Sequence, residues 1–215
     1  MDSINYKKLY ALQDRVMQDI FQVESEFYLT GGTCLSRFYK DKRYSDDLDF
    51  FTNNSIRFNF AVRGIKDVLI KRYDLKVEIE SKDFIRYRLD DILQIDFVND
   101  RVEHYKDLVV KENIIIDNIE NILSNKLTAT ISRDNPKDIF DLYLIWRYFS
   151  FDWKDILESA HSKAYFSDDE LIIRLKTFPS ELLKNIKLSD KSFLDNFTVE
   201  FPKIIQEIKT SKHAK

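Results

Sequence analysis

The spacing of apolar residues predicts the order of secondary structure at the start of the chain. Between Tyr6 and Phe21 they recur three and four positions apart, which predicts an amphipathic helix. A short strand is predicted over 27–29. The next helix is expected to begin near Thr33, a suitable N-cap residue, and to run to about Tyr39.

The rest of the chain divides into a strand-rich part and a helical part. A strand is predicted around 48–51, a helix over 56–73, and three consecutive strands between Val77 and Phe97. From about His104 onward helical spacing returns, with polar breaks that resemble helix starts. We therefore predict an α+β protein in which a domain built on one mixed sheet is followed by a C-terminal helical bundle. The predicted domains are 1–103 and 104–215.

Composition places the chain among folded proteins without a membrane span. With 215 residues, 44% of them hydrophobic, it has enough apolar surface for a substantial core. Its 17 Phe and 11 Tyr exclude a disordered composition, and no apolar run approaches the roughly 18 residues of a membrane helix. The N-terminal sequence lacks the features of a signal peptide, and Cys34 is the only cysteine. These features predict a cytoplasmic protein with no membrane partner.

Charge and histidine content limit the kinds of site. Three histidines lie far apart without cysteine partners, so a zinc site is not expected and any metal should be held by oxygen. A net charge of −3 excludes a uniformly basic surface that coats nucleic acid, but it allows a local basic groove. Lys40, Lys42 and Arg43 form one basic cluster, with Arg86 and Arg88 as further candidates for contacts with RNA. The alternative for the cluster is a solvated loop.

Two of the three glycines are adjacent, at Gly31 and Gly32, and Thr33 follows them. Glycine reaches positive φ and lets backbone N–H groups approach a ligand closely. A helix that starts at this turn would point its free N–H groups back into it. The sequence therefore predicts a turn that holds phosphate groups.

Two aspartates, Asp47 and Asp49, alternate on the predicted strand that follows. Residues i and i+2 of a strand share one face, so their carboxylates should lie close together. Asp96 would join them if its strand is a neighbour. Two like charges about 4 Å apart repel by about 4 kcal/mol at an effective dielectric near 20, and Mg²⁺ would relieve this repulsion. The alternative is a half-exposed strand with an acidic polar face.

The helical part contains a second group of charged residues. Lys126 and Arg133 fall along one helical face, which indicates either a phosphate clamp or a solvated stripe. The position of Asp138 near the start of a helix is explained by the helix dipole and the free N–H groups. Asp141 lies between core-like residues, and an ion pair with Arg133 or Arg147 would account for it structurally.

Taken in order, these motifs resemble the AbiEii/AbiGii-type nucleotidyltransferases, whose members include type IV toxin–antitoxin toxins and the related MenT toxins. The resemblance covers about residues 27–146. It rests on Leu29-Thr30-Gly31-Gly32-Thr33, Arg43-Tyr44-Ser45-Asp46-Asp47-Leu48-Asp49-Phe50-Phe51, Gln94-Ile95-Asp96-Phe97, Lys126-x-x-Ala129-x-x-x-Arg133 and Lys137-Asp138-x-x-Asp141-Leu142.

The resemblance implies a DNA-polymerase-β-like nucleotidyltransferase fold and a role for each motif. The nucleotide phosphates would be held by Gly31, Gly32, Thr33, Lys126 and Arg133. The metal ligands and catalytic acids would be Asp47, Asp49 and Asp96, with two Mg²⁺ ions, and Asp96 would help to activate the attacking hydroxyl. Asp138 and Asp141 would be the acidic pair of the last motif. The helical domain would complete the active-site cleft.

The implied reaction moves an NMP from an NTP to an acceptor, such as a tRNA 3′ end, in a toxin or abortive-infection protein with a cognate antitoxin. Two alternatives remain. One is a nucleotidyltransferase that modifies a small molecule. The other is a catalytically inactive domain that acts as a binding partner or antitoxin, although a domain without catalysis has no chemical reason to keep all three acids.

Overall fold

The structure is a computed structural model that describes residues 5–213. These residues form two compact units. The first unit contains 5–34 and 45–117, and the second contains 35–44 and 118–213. The chain thus enters the second unit briefly, at 35–44, before the first unit is complete. None of the helices within 5–213 is both long and apolar enough to cross a membrane.

The first unit is built on a mixed seven-stranded sheet with the strand order β3-β4-β5-β2-β1-β7-β6. Its elements are α1 (Tyr6–Val23), β1 (Tyr28–Thr30), α2 (Gly31–Cys34), β2 (Asp47–Asn53), α3 (Phe58–Leu69), β3 (Leu75–Glu80), β4 (Phe84–Leu89), β5 (Leu93–Asp100), β6 (Val109–Lys111) and β7 (Ile114–Ile116). Strand β2 runs parallel to β5 and antiparallel to β1. The predicted fold class, α+β with a mixed sheet, is confirmed for this part.

Alternation along β2 and β5 separates the core from the polar face of the sheet. Phe50 and Phe97 are fully buried and stack with ring centroids 5.6 Å apart. Phe27 packs edge-on against Phe97 at 5.2 Å and against Phe58 of α3 at 5.9 Å. Each fully buried aromatic side chain of this kind contributes about 1.5–3 kcal/mol. Because side chains alternate, this packing directs the aspartates of β2 to the opposite face.

The second unit is helical, as the spacing predicted. It contains a π-helical turn (Leu35–Tyr39), α4 (Ile119–Ser132), α5 (Pro136–Tyr148), α6 (Trp153–Lys163), α7 (Asp168–Thr177), two short 3₁₀ helices (Ser180–Asn185 and Lys191–Leu194) and α8 (Phe197–His213). Four helices begin at a side-chain cap that accepts a backbone N–H, at Asn118, Asn135, Asp152 and Ser167. Pro136 stands at the first position of α5, where its missing N–H has no consequence.

Two local predictions are wrong. Thr33 does not cap a helix, because the helix starts at Gly31 and the Thr33 hydroxyl donates to the carbonyl of Asp47 instead. Residues 104–116 are not helical, since they contain the hairpin β6–β7, joined by Glu112 and Asn113, which both have positive φ (49° and 68°). With these strands in the sheet, the first unit extends to Asp117, past the predicted boundary at 103.

Candidate active site

The turn after β1 brings glycine against a carboxylate. Gly31 has φ +71°, and a Cβ atom at this position would lie 2.6 Å from Oδ2 of Asp49. Thr30, the residue before it, is opposite Asp49 in the antiparallel pairing of β1 and β2. Gly31 is therefore required twice, by a backbone conformation that favours glycine and by the space that the carboxylate occupies. Gly32 and Thr33 follow as buried residues of the same short helix.

Thr33 and Cys34 hold this helical turn in place. The Thr33 hydroxyl donates to the backbone carbonyl of Asp47, so the turn is tied to the beginning of the strand that carries the acids. Cys34 is fully buried, and burial is the main reason that its thiol pKa lies well above the ordinary value. This position is typical of a small core residue rather than a nucleophile.

The three predicted acids lie on one face of two neighbouring strands. Asp49 is opposite Asp96 in the parallel pairing of β2 and β5, and Asp47 is opposite Gln94. Asp47 and Asp49 are half-buried, whereas Asp96 is 7% exposed. The structure thus brings together the acids that the sequence placed on separate strands.

Asp96 has a partner that the motif did not indicate. Arg86, opposite Asp96 on β4, donates to both carboxylate oxygens, from Nε to Oδ1 at 2.7 Å and from Nη2 to Oδ2 at 2.6 Å. Gln94 donates to Oδ2 at 3.3 Å. The bond with Asp96 also raises the pKa of Arg86. This bidentate geometry is the strong form of an arginine–carboxylate pair and keeps Asp96 in one orientation.

The face of the sheet that carries Asp47, Asp49 and Asp96 suits a Mg²⁺ ion whose other ligands come from the substrate and from water. It does not form a complete metal site from protein ligands alone. Within residues 5–213, no group of three or more His, Cys, Asp or Glu side chains is arranged to hold a metal ion. Mg²⁺ is usually bound by one or two carboxylates, with phosphate oxygens and water as its other ligands. The carboxylates of Asp47 and Asp49, beside the glycine turn, supply that number and type of donor.

The second unit contains a buried network of charged side chains. Lys126 is 9% exposed, and its ammonium lies 2.9 Å from Asp138 and 2.8 Å from Asp141. Arg43 donates to both oxygens of Asp141 at 2.7 Å. Arg133 donates to both oxygens of Asp138, at 2.7 and 3.1 Å. Three cations therefore surround two carboxylates.

Opposing effects set the protonation of this network. Burial raises the pKa of Asp141 and of Asp138, but the attraction of Arg43 and Lys126 for Asp141, and of Lys126 and Arg133 for Asp138, outweighs it and lowers both. Burial lowers the pKa of Lys126, but Asp141 and Asp138 outweigh it, and the pKa is raised. All the members are thus charged at neutral pH.

This geometry corrects three interpretations of the sequence. Lys126 does not belong to a solvated stripe, because its ammonium lies between two buried carboxylates. Asp138 is not explained by the helix dipole alone, since it binds two cations. The partners of Asp141 are Arg43 and Lys126, rather than Arg133 or Arg147.

Comparisons with known proteins decide the family. The family model described as "Nucleotidyl transferase AbiEii toxin, Type IV TA system" matches residues 15–213. The chain belongs to this AbiEii family. As an AbiEii chain it is a nucleotidyltransferase toxin of the type IV toxin–antitoxin class. The match includes the glycine turn, the three acids and the charged network.

Individual relatives of this AbiEii chain agree in sequence or in fold. An uncharacterized protein of Aquifex aeolicus is 33% identical over 156 residues, which are 69% of this chain and 71% of that protein. A candidate nucleotidyltransferase from H. pylori has a TM-score of 0.64 at 21% identity, with 100% and 99% of the two chains covered. The MenT4 nucleotidyltransferase toxin from Mycobacterium tuberculosis has a TM-score of 0.52 at 15% identity, covering 72% and 63%. The two solved structures show a shared fold.

The basic cluster of the AbiEii chain is different from the predicted one. Arg43 is 2% exposed and belongs to the charged network. Lys42 pairs with Asp190 at 2.6 Å, and Lys40 lies over the ring of Tyr148, 4.5 Å from its centroid. The expectation that all three contact RNA is therefore wrong for Arg43, because its guanidinium group is buried and paired with Asp141.

The roles of Arg86 beside Asp96 and of Arg43 in the charged network were not predicted from the sequence. Nothing in the spacing of either residue distinguishes it from a surface arginine. Arg86 could have been found from the strand register alone, since placing β4 antiparallel to β5 sets it opposite Asp96. Arg43 could not, because its partner Asp141 is 98 positions away.

Proposed function

We propose that this AbiEii chain transfers an NMP from an NTP to a hydroxyl of an acceptor, in a reaction that depends on Mg²⁺. One observation carries the proposal: Gly31 lies in contact with the carboxylate of Asp49, beside Asp47. A turn able to accept phosphate groups and a pair of oxygen ligands for a metal thus share one small region of the first unit.

Each residue has a role in this reaction. The backbone N–H groups of Gly31, Gly32 and Thr33 bind phosphate oxygens of the NTP. Asp47 and Asp49 hold Mg²⁺, which when bound neutralises charge on the phosphates and on the departing pyrophosphate. The acceptor oxygen forms a bond with the α-phosphorus as the bond to pyrophosphate breaks.

Asp96 is the third acid of the proposal and acts near the attacking hydroxyl. Arg86 binds both of its oxygens and Gln94 binds Oδ2, but a carboxylate accepts about four hydrogen bonds, so Oδ1 keeps capacity for another partner. Arg86 keeps the Asp96 carboxylate in one orientation. Asp96 is thus suited to accept the proton of the hydroxyl, or to serve as a further metal ligand.

Within the second unit, the charged network offers a cation for phosphate groups of the NTP. Arg133 is the candidate for direct contact, because its side chain is 56% exposed while that of Lys126 is 11% exposed. Lys126 has two carboxylates as neighbours and supports Arg133 through Asp138. Asp138 and Asp141 hold the cations in place.

The test of transfer uses each labelled NTP with Mg²⁺ and total tRNA. We expect label from one or more NTPs to become covalently attached to tRNA, and Asp49→Asn to abolish the attachment. An enzyme that labels no acceptor with any NTP, in the presence of Mg²⁺ or Mn²⁺, would contradict the proposed transfer. A cognate antitoxin, expected from the type IV class, should suppress toxicity in cells.

A small-molecule acceptor is the second candidate, and the position of Arg43 favours it. With Arg43 buried and Lys42 paired with Asp190, less basic surface remains for RNA than the sequence suggested. Three or four phosphate contacts would give a slope of about −2 to −4 for log K against log salt concentration. We expect this slope for tRNA binding by Asp49→Asn, and a flat line would favour the small molecule.

A further inference from the structure

A buried carboxylate, Asp117, connects the glycine turn to a histidine. Oδ2 of Asp117 accepts a short hydrogen bond from the hydroxyl of Thr30, and Oδ1 lies 2.8 Å from Nε2 of His104. Nδ1 of His104 lies 2.7 Å from the carbonyl oxygen of Lys106. Asp117 is 0% exposed, so its carboxylate is shielded from water.

The two contacts of the imidazole fix its orientation. A carbonyl oxygen only accepts hydrogen bonds, so Nδ1 of His104 is the donor of the hydrogen bond to the carbonyl oxygen of Lys106. Nε2 lies within hydrogen-bond distance of Oδ1 of Asp117, at 2.8 Å. A ring with both nitrogens engaged cannot turn without losing a bond. His104 therefore holds the Asp117 carboxylate in one position.

Asp117 in turn contacts the chain on both sides of the glycine pair. On the incoming side its N–H donates to the carbonyl of Leu29 at 2.8 Å, in addition to the bond from Thr30. On the outgoing side the thiol of Cys34 is 3.8 Å from its carbonyl oxygen. The position of Gly31 between these anchors is thus set by Asp117.

We propose that His104 is a positioning residue. Through Asp117 and Thr30 it holds the glycine turn in the position in which the turn binds nucleotide phosphate beside Asp49. Gly31 leaves no room for displacement toward Asp49, because even a Cβ atom would lie 2.6 Å from that carboxylate. Small shifts of Thr30 would therefore disturb both the phosphate cradle and the metal ligand. This inference rests on the proposed function.

The test separates the hydrogen bonds of His104 from its ring packing. His104 packs edge-on against Tyr28, with ring centroids 4.9 Å apart. His104→Phe keeps an aromatic ring there but loses both bonds, whereas His104→Gln keeps a donor toward Asp117. His161→Phe is the matched control, because His161 also pairs with an aspartate, Asp168, at 2.7 Å but belongs to α6.

We expect His104→Phe to weaken binding of MgATP, or of the NTP found active, roughly tenfold or more, as supporting partners of binding groups commonly do. The KM for the acceptor should not change, and His104→Gln should recover most of the affinity. Hydrogen exchange of peptides covering 29–34 should accelerate in His104→Phe alone. His161→Phe should match wild type in both measurements.

A second pair of variants tests the same connection if His104→Phe folds poorly. Thr30→Val removes the hydroxyl and should reproduce the loss, and Thr30→Ser should not. The double variant of Thr30→Val with His104→Phe should be no weaker than either single variant.

Normal nucleotide affinity and normal exchange over 29–34 in a folded His104→Phe protein would overturn the inference while leaving the proposed function intact. Equal losses in both KM values would also overturn it. A wild-type protein that binds no NTP would instead refute the proposed function, and the phosphate role of His104 with it.

Discussion

Replacement of Lys126 by methionine distinguishes a structural lysine from one that binds nucleotide. Its ammonium lies within 2.9 Å of Asp138 and 2.8 Å of Asp141, and both carboxylates are about 1% exposed. Methionine fills nearly the same volume but leaves two buried carboxylates with one arginine partner each. Loss of one partner from a buried ion pair typically destabilises a protein by about 3–5 kcal/mol.

We expect a loss near the lower end, about 3 kcal/mol, because Arg43 and Arg133 remain in place. For a chain of this size, each 1 kcal/mol lowers the Tm by about 2–4 °C, so a decrease of roughly 6–12 °C should be seen. Urea unfolding monitored by circular dichroism would measure the free energy of unfolding. Adding Asp138→Asn should restore part of the loss, since it removes a buried carboxylate whose remaining partner, Arg133, is 56% exposed.

Lys76→Met is the matched control for this measurement. Lys76 also pairs with an aspartate, Asp91, but the two side chains are 54% and 69% exposed. An exposed pair contributes at most about 1 kcal/mol, so this variant should remain close to wild type. If Lys126→Met instead unfolds like wild type while its affinity for MgATP collapses, Lys126 binds phosphate directly and our interpretation of the network is wrong.

Three further outcomes are expected. Gly31→Ala should abolish NTP binding and destabilise the fold by more than about 1 kcal/mol, because of its φ of +71° and the contact at 2.6 Å, whereas Gly64→Ala, with open space around it, should be neutral or stabilising. Calorimetry would measure NTP binding, and thermal melts would measure stability. Wild-type values of both for Gly31→Ala would contradict the role of the turn. Asp49→Asn should abolish transfer without lowering the Tm in the absence of Mg²⁺. Wild-type activity of this variant would refute the role of Asp49 as a metal ligand. Asp138 and Asp141 have lowered pKa values, so they stabilise the fold above about pH 4, and this contribution is lost as pH falls through the lower folded values. The stability difference between wild type and Lys126→Met should therefore shrink below pH 4, and a constant difference down to pH 2 would contradict it.

Periodicity was a good guide wherever one face of an element is buried. The alternation around Phe50 and Phe97 predicted both strands correctly, and with them the face on which the acids lie. The hairpin after His104 was missed because its strands have only three residues each, too few for a period to be recognised. The run of three isoleucines at 114–116 was the available signal.

Charged residues were harder to predict than apolar ones. Lysine is rarely buried, so a sequence alone favours an exposed Lys126, and its burial becomes understandable only with two carboxylates beside it. Pairs such as Arg86 with Asp96 depend on strand register, which spacing within one strand does not contain. The identity of the acids followed from their pattern, but the partners that orient them did not.

The short segment 35–44 has a consequence for how the protein is made. Arg43 leaves the ribosome long before Asp141, which lies 98 residues further along the chain. At about 5–20 residues per second, this interval lasts roughly 5–20 s. During that time the strands that carry the acids are translated, but the network that buries Arg43 is still incomplete. An AbiEii toxin of this design cannot finish folding until α5 has been translated, so prematurely terminated chains should be substrates for proteases rather than active fragments.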